Sequence, residues 1–288
     1  MNKLAKLGVA VPLLTAGAAV GAAVAGNLRF KKMVEDEVTS LFAAANQTET
    51  AVVTQEMLAH LPEPVQRYMV HTGIVGKPMV NTVRLRQQGK FRMGPEQPWF
   101  NVTAEEYYSI SPPALIWVVT VKKAGIPLIL GRDSYQDGTG HMLITLTGLV
   151  PVVNAKGSEL DQGSMMRFLN EMIWFPAALL RDNISWTAID DYSAQVTLHD
   201  QGKEVTGTLF FDDEGKLLNF EAPRYRMEGE EFVTTRWSTP LTEYGERAGL
   251  QLPVKGSAVW HLAEGDFKYV ELDITDIEYN RPFLYEAE

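Results

Sequence analysis

The chain has no cysteine among its 288 residues, which excludes disulfide bridges, thiol nucleophiles and thiolate metal sites together. Its five histidines, His60, His71, His141, His199 and His261, are too widely separated to show metal-ligand spacing. The nucleophile-elbow, phosphate-loop, dinucleotide and zinc-helix motifs are absent as well. A calcium-like string begins at Asp133, but Tyr135 stands at its third position and Ile144 where a bidentate acid belongs. No catalytic residue, no metal and no cofactor is therefore expected from motifs. Repeats and low-complexity tracts are also missing, and 45% hydrophobic residues is a globular composition, not a disordered one.

Positive charge is scarce outside the N-terminus. The chain holds 26 basic and 36 acidic residues, and Lys3, Lys6, Arg29, Lys31 and Lys32 all precede the first acid. The rest of the chain carries 21 basic against 36 acidic residues, a net charge of −15. Such a body repels phosphate backbones, so no nucleic acid is expected as a partner.

Between Lys6 and Arg29 the stretch Leu7 to Leu28 has no charge at all. At ~1.5 Å per helical residue it just crosses a ~30 Å hydrocarbon core. It is made mostly of Ala, Gly and Val, so its insertion is marginal. Three readings stay open: a single-span membrane anchor, a cleaved signal peptide ending near Ala23 and Ala25, or a soluble N-terminal helix. Arg29, Lys31 and Lys32, just past the cut, oppose cleavage. Gly17 and Gly21 form a Gly-x-x-x-Gly face that could pair two anchors into a homodimer. The expected location is membrane-anchored on the extracytoplasmic side, or secreted or periplasmic if the segment is removed.

The pattern divides the chain into three segments: residues 1–32 as signal or anchor, 33–75 as a helical segment, and 76–288 as an antiparallel, barrel-like domain. In Val83 to Met93 the residues Val83, Leu85, Phe91 and Met93 alternate with Arg84, Arg86, Gln88, Lys90 and Arg92, which makes one face apolar and the other cationic. That cationic face is expected to pair with Glu105 and Glu106 on the next strand. Turn signals at Asp137-Gly138, Asp200-Gln201-Gly202 and Asp213-Glu214-Gly215 read as hairpins. Three runs, Ala114 to Val121, Ile126 to Leu130 and Met142 to Val153, are nearly continuous apolar sequence, so both of their faces should be dry. Ten to twelve strands of this kind should curl into a large curved sheet or half-open β-barrel. The fold class expected is mainly β with helices (α+β), with helices plugging the concave face and an apolar helix in front.

Leu160 to Arg181 is the inserted helix. Met165, Phe168, Leu169, Met172 and Ile173 share one side, Arg167, Asn170, Glu171 and Trp174 the other, and Pro176 must break or kink it. The apolar side is either plain core or the lining of an adaptable cavity. In the cavity reading Trp117, Leu130, Met165, Leu169, Met172, Trp174 and Phe175 line the ligand site, with Arg167 and Glu171 as polar groups beside it.

Several strings, Leu61-Pro62-Glu63-Pro64-Val65-Gln66-Arg67-Tyr68, Gln88-Gly89-Lys90-Phe91-Arg92 and Arg167-Phe168-Leu169-Asn170-Glu171 leading into Trp174-Phe175-Pro176, resemble an uncharacterised family of bacterial, membrane-associated proteins. The order of elements is also similar to the outer-membrane lipoprotein carriers, unclosed barrels whose helices plug an apolar cavity. The family resemblance implies no activity; the cavity reading leads to the expectation of a membrane-tethered, extracytoplasmic binding protein for a lipid or other apolar small molecule, without covalent chemistry. The alternatives are a structural or assembly protein with a filled barrel, and a hydrolase or isomerase using carboxylates such as Glu171 or Asp133 in the same cavity.

Overall fold

The structure is a computed structural model that describes residues 3–48, 50–123, 125–229 and 231–286, with the backbone alone for 3–19 and 123. Helix α1 spans Lys3–Ala44, so the boundary expected at residue 32 falls inside one continuous helix. Gln55–Leu58 forms α2, capped by the Thr54 hydroxyl, which accepts the Met57 amide. Glu63–Thr72 forms α3, which opens on a proline and ends at Gly73 with φ 72°, a left-handed conformation that glycine adopts without strain. Ser158–Glu171 forms α4; the chain then makes two 3₁₀ turns, Met172–Trp174 and Pro176–Leu180, because Pro176 cannot continue the α-helical ladder.

Among the described residues fourteen antiparallel strands build one sheet. They are β1 (Thr82–Phe91), β2 (Phe100–Ser109), β3 (Ala114–Lys123), β4 (Ile126–Gln136), β5 (Thr139–Leu146), β6 (Val150–Ala155) and β7 (Ile184–Asp190). The remainder are β8 (Ser193–Asp200), β9 (Lys203–Phe211), β10 (Leu217–Glu228), β11 (Glu231–Ser238), β12 (Leu241–Arg247), β13 (Leu250–Leu262) and β14 (Gly265–Tyr279). Their order is β6-β5-β4-β3-β2-β1-β14-β13-β11-β10-β9-β8-β7, with β12 beside β13. The sheet is curved and unclosed: β6 and β7 end it without pairing, and α4 stands across the gap against β4, β5, β9 and β10.

The two faces of the sheet carry separate cores. On the inner face α3, α4 and the 3₁₀ turns pack against residues such as Leu85, Tyr108, Leu115 and Tyr135. On the outer face Phe30, Val34, Val38, Leu41 and Phe42, at helical spacing along α1, cover Tyr107, Ile116 and Leu130. Glu37 of α1 reaches the guanidinium of Arg132 on β4 at 3.0 Å. Nearer its N-terminus α1 crosses the β5–β6 turn in direct backbone contact. A Cβ on Gly26 would collide with the Thr147 carbonyl, and one on Gly148 would collide with Gly26. The Asn27 amide donates to that same Thr147 carbonyl at 3.4 Å.

Much of the Leu7 to Leu28 stretch, Gly17 included, lies outside the residues whose side chains are described. Among the described residues no helix is long and apolar enough to cross a membrane, and nothing stands within 4 Å of a Cβ placed on Gly21.

The three apolar runs are strands, but only in part dry on both sides. Leu115 and Ile116 are fully buried, one on each face. Ile126, Val150 and Val152 are 64%, 58% and 60% exposed. Ile126 opens β4, Val150 and Val152 lie on β6, and among the described residues the three belong to neither core.

Candidate functional site

The register divides the inner face of β2 to β5 into rows that run across the strands. Tyr108, Leu115, Tyr135 and Gly140 stand side by side in the first row, and their three side chains are completely buried. The next row is Glu106, Trp117, Asp133 and Met142. Beyond it come Ala104, Val119, Gly131 and Ile144, and then Val121, Ile129 and Leu146. On β3, β4 and β5 burial falls along this series, with Val119, Ile129 and Ile144 half-buried and Leu146 exposed, whereas on β2 Ala104 stays buried.

Helix α4 covers the first row. Its Phe168 lies between Tyr108 and Tyr135, with ring centroids 6.2 Å and 6.4 Å away, and Phe175 sits 4.8 Å from Tyr108. Met165, Leu169, Met172 and Phe175 are brought together here, each at most 1% exposed, in a filled core. Trp174 is half-buried at its margin, where its carbonyl accepts the Tyr279 hydroxyl. Leu130 is not part of this group: between the inward Ile129 and Gly131 it points outward, into the core under α1.

The second row carries the charge. Arg167 of α4 donates through Nε to Glu171 Oε1 at 2.7 Å, through Nη2 to Glu106 Oε1 at 2.8 Å, and through Nη1 to Asp133 Oδ2 at 3.2 Å. Its guanidinium lies 4.6 Å from the ring centre of Trp117. The second oxygens of two carboxylates are also held. The Tyr108 hydroxyl donates to Glu171 Oε2 at 3.0 Å, and the Gln87 amide donates to Glu106 Oε2 at 3.3 Å while accepting the Trp117 indole N–H at 2.9 Å.

Burial drives the electrostatics of this cluster. It pushes the Glu106 carboxyl well above its usual range; Arg167 opposes the shift and Glu171 adds to it. Asp133 is also raised by burial, against the pull of Arg167, Arg224 and Arg132. Burial works against the charge of Arg167 too, but Glu106, Glu171 and Asp133 together hold it firmly protonated. Glu106 and Glu171 are almost sealed, while Asp133 keeps 22% of its side chain exposed toward the uncovered rows.

Across the groove from Trp117, β10, β11, β13 and β14 present an aromatic wall. Trp260 stacks on Tyr269 at 6.0 Å and 21°, and the Trp237 indole donates to the Tyr269 hydroxyl at 3.1 Å. Arg224 lies 4.7 Å above the Trp237 ring with its Nε unbonded. Among the described residues no His, Asp and Glu group has an arrangement that could hold a metal ion.

Sequence reasoning joins Arg167 to Glu171 and finds Trp117, but it misses Glu106, Gln87, Arg224 and Trp237 as members of the site. It also places both Glu105 and Glu106 against the cationic face of β1. Glu105 does bind Arg86, at 3.3 Å, on the outer face. Glu106 faces inward, so Arg84 turns to Glu278 at 2.6 Å and Lys90 to Glu271 at 2.8 Å. The signal is present in the sequence: neighbouring strand residues point to opposite faces, and Glu106 shares its face with Ala104 and Tyr108.

Residues 51–272 match a family of unknown function (DUF6544). No curated protein matches the sequence. Similar solved structures include a LolA superfamily protein from Nitrosomonas europaea, with 10% identity over 80% of this chain and 94% of that one, at a TM-score of 0.39. A DUF1329 family protein from Desulfovibrio piger shares 12% identity over 70% of this chain and 87% of that one, at a TM-score of 0.40. A domain described as an outer membrane lipoprotein-sorting protein, from Vibrio parahaemolyticus, shares 6% identity over 70% and 86%, at 0.39.

Proposed function

The chain belongs to the DUF6544 family, whose function is unknown, and from its own geometry we propose that it is a membrane-tethered, extracytoplasmic binding protein for an amphipathic lipid. One observation carries this reading. On β3, β4 and β5 the inner face continues past Trp117, Asp133 and Met142 with half-buried apolar side chains, and these stop at a line of charged and aromatic groups. An acyl chain along Val119, Ile129 and Ile144 would complete the burial that the helices leave unfinished. Arg224 on Trp237 makes no ion pair within 4 Å among the described residues, though its charge acts on Asp133, and it is suited to an anionic headgroup.

The proposed site lies beside the one expected around Met165, Leu169 and Met172, because that space is occupied by side chains. Arg167 serves the site as a brace: it fixes α4 to β2 and β4 and closes the groove. Both oxygens of Glu106 and of Glu171 accept hydrogen bonds, which favours a bracing role over acid–base chemistry for these two carboxylates. The Leu7 to Leu28 stretch would supply the tether; cleaved there, the protein would be free outside the cytoplasm.

The test is native mass spectrometry of the full chain released from membranes in mild detergent and offered phosphatidylglycerol. The expected result is one bound lipid, lost for the most part in Val119→Asp and in Arg224→Gln with circular dichroism unchanged. Absence of lipid from the unaltered protein, or undiminished binding by folded Val119→Asp, would overturn the proposal.

A further inference from the structure

The β1–β2, β3–β4 and β5–β6 connections lie at one end of the sheet, since Val121 pairs with Ile129 and Ile129 with Leu146. This is the end where the inner groove opens. Bare apolar side chains gather at this end: Ile126 at the start of β4 at 64%, Leu149 in the β5–β6 turn against α1 at 45%, and Val152 on β6 at 60% exposure. Scattered exposed apolar residues are ordinary, but a contiguous collar of them around a cleft marks an interaction surface.

Three further observations indicate what covers the collar. First, α1 leaves the body at this end. Its C-terminal half lies along β2 to β4, and Gly26 touches the β5–β6 turn, so the preceding residues project past the groove mouth. Second, Gly26 of α1 lies against the Leu149 side chain, while Val24 and Leu28, two residues to either side, are exposed on the opposite face of the helix, and all three belong to the uncharged stretch that starts at Leu7. Third, in the β1–β2 connection Trp99 carries Arg92 and Lys90 against its ring, 4.7 Å and 5.1 Å from its centre. An amphipathic indole with cations beside it suits the boundary between lipid headgroups and acyl chains.

We propose that this end of the sheet docks on the surface of a phospholipid bilayer, with Ile126, Leu149 and Val152 entering the acyl boundary and the groove mouth facing the lipid. The acidic body argues for contact driven by apolar area, not by headgroup charge. The proposal deepens the binding reading by naming the route of the lipid, and it rests on that reading only for the route. The collar and the exit of the helix are separate observations.

Because the chain has no cysteine, single probes can be introduced cleanly. Ile126→Cys and Val152→Cys, and Glu214→Cys at an exposed turn beside α3, would carry an environment-sensitive fluorophore on the full chain in phosphatidylcholine vesicles. Vesicles containing acyl-chain-brominated lipid are expected to remove most of the fluorescence at 126 and 152 and none at 214. Equal quenching at all three sites, or none at 126 and 152, overturns the docking. Probes already shielded at 126 and 152 before vesicles are added would show that a protein, or a second copy of the chain, covers the collar, and this too overturns it. Lipid bound in mass spectrometry without quenching removes the docking alone; quenching without bound lipid removes the binding reading alone.

Discussion

The inner face of the sheet has two halves built from the same strands. In the covered half, Tyr108, Leu115 and Tyr135 meet Phe168 and vanish from solvent. Further along these strands and their neighbour β5, Val119, Ile129 and Ile144 stand in the same inward direction but are only half-buried and, among the described residues, belong to neither core. Side-chain chemistry hardly distinguishes the halves; burial does. An apolar strand therefore states that a face wants to be dry and leaves open what makes it so.

The comparison would break if the halves contributed alike to stability. Phe168→Ala should cost about 3–5 kcal/mol, as for a fully packed aromatic side chain, and Val119→Ala about 1 kcal/mol or less. Urea unfolding measures both, and equal losses would mean that the uncovered half is a core in its own right. Removing the brace between the halves should be as severe as removing Phe168. Arg167→Met strands buried carboxylates and should cost about 3–5 kcal/mol.

The same elements show how far residue order alone can be followed. Alternation in Val83 to Met93 marks β1, the glycine turns at Gly138, Gly202 and Gly215 close hairpins, and Pro176 ends α4, because each of these rests on local backbone geometry. The pairing of Arg167 with Glu106 and Asp133 joins residues 61 and 34 positions apart, and no local spacing encodes it. Leu130 is assigned to the wrong face for a related reason. In an unbroken apolar run the hydrophobic pattern does not reveal the parity, which only the register settles.

The covered half also carries a dependence on pH. Burial raises the Glu106 carboxyl above its ordinary value of 4.5, so above that value the native state holds a proton that the unfolded chain has released. This contribution to stability is complete below 4.5 and is lost as pH rises through the native value. Urea midpoints should therefore decline as pH rises from the ordinary carboxylate range toward alkaline conditions, and Glu106→Gln should flatten the decline. An unchanged profile in that variant would place the proton elsewhere in the cluster.

The smallest effect belongs to the mouth. Ile126→Ser should change stability by no more than about 0.5 kcal/mol, since a side chain so exposed contributes little to the fold. A larger loss in urea would show that Ile126 is part of the folded core after all.

The absence of a β6–β7 ladder has a mechanical side. A sealed cylinder of strands has its bore fixed by strand number and stagger, and can widen only by rupturing hydrogen bonds. A C-shaped wall spanned by one helix has its girth fixed by side-chain packing along that span. The width of the wall can then change by shifting rotamers where α4 leans on β5 and β9, while every rung of the ladder stays intact.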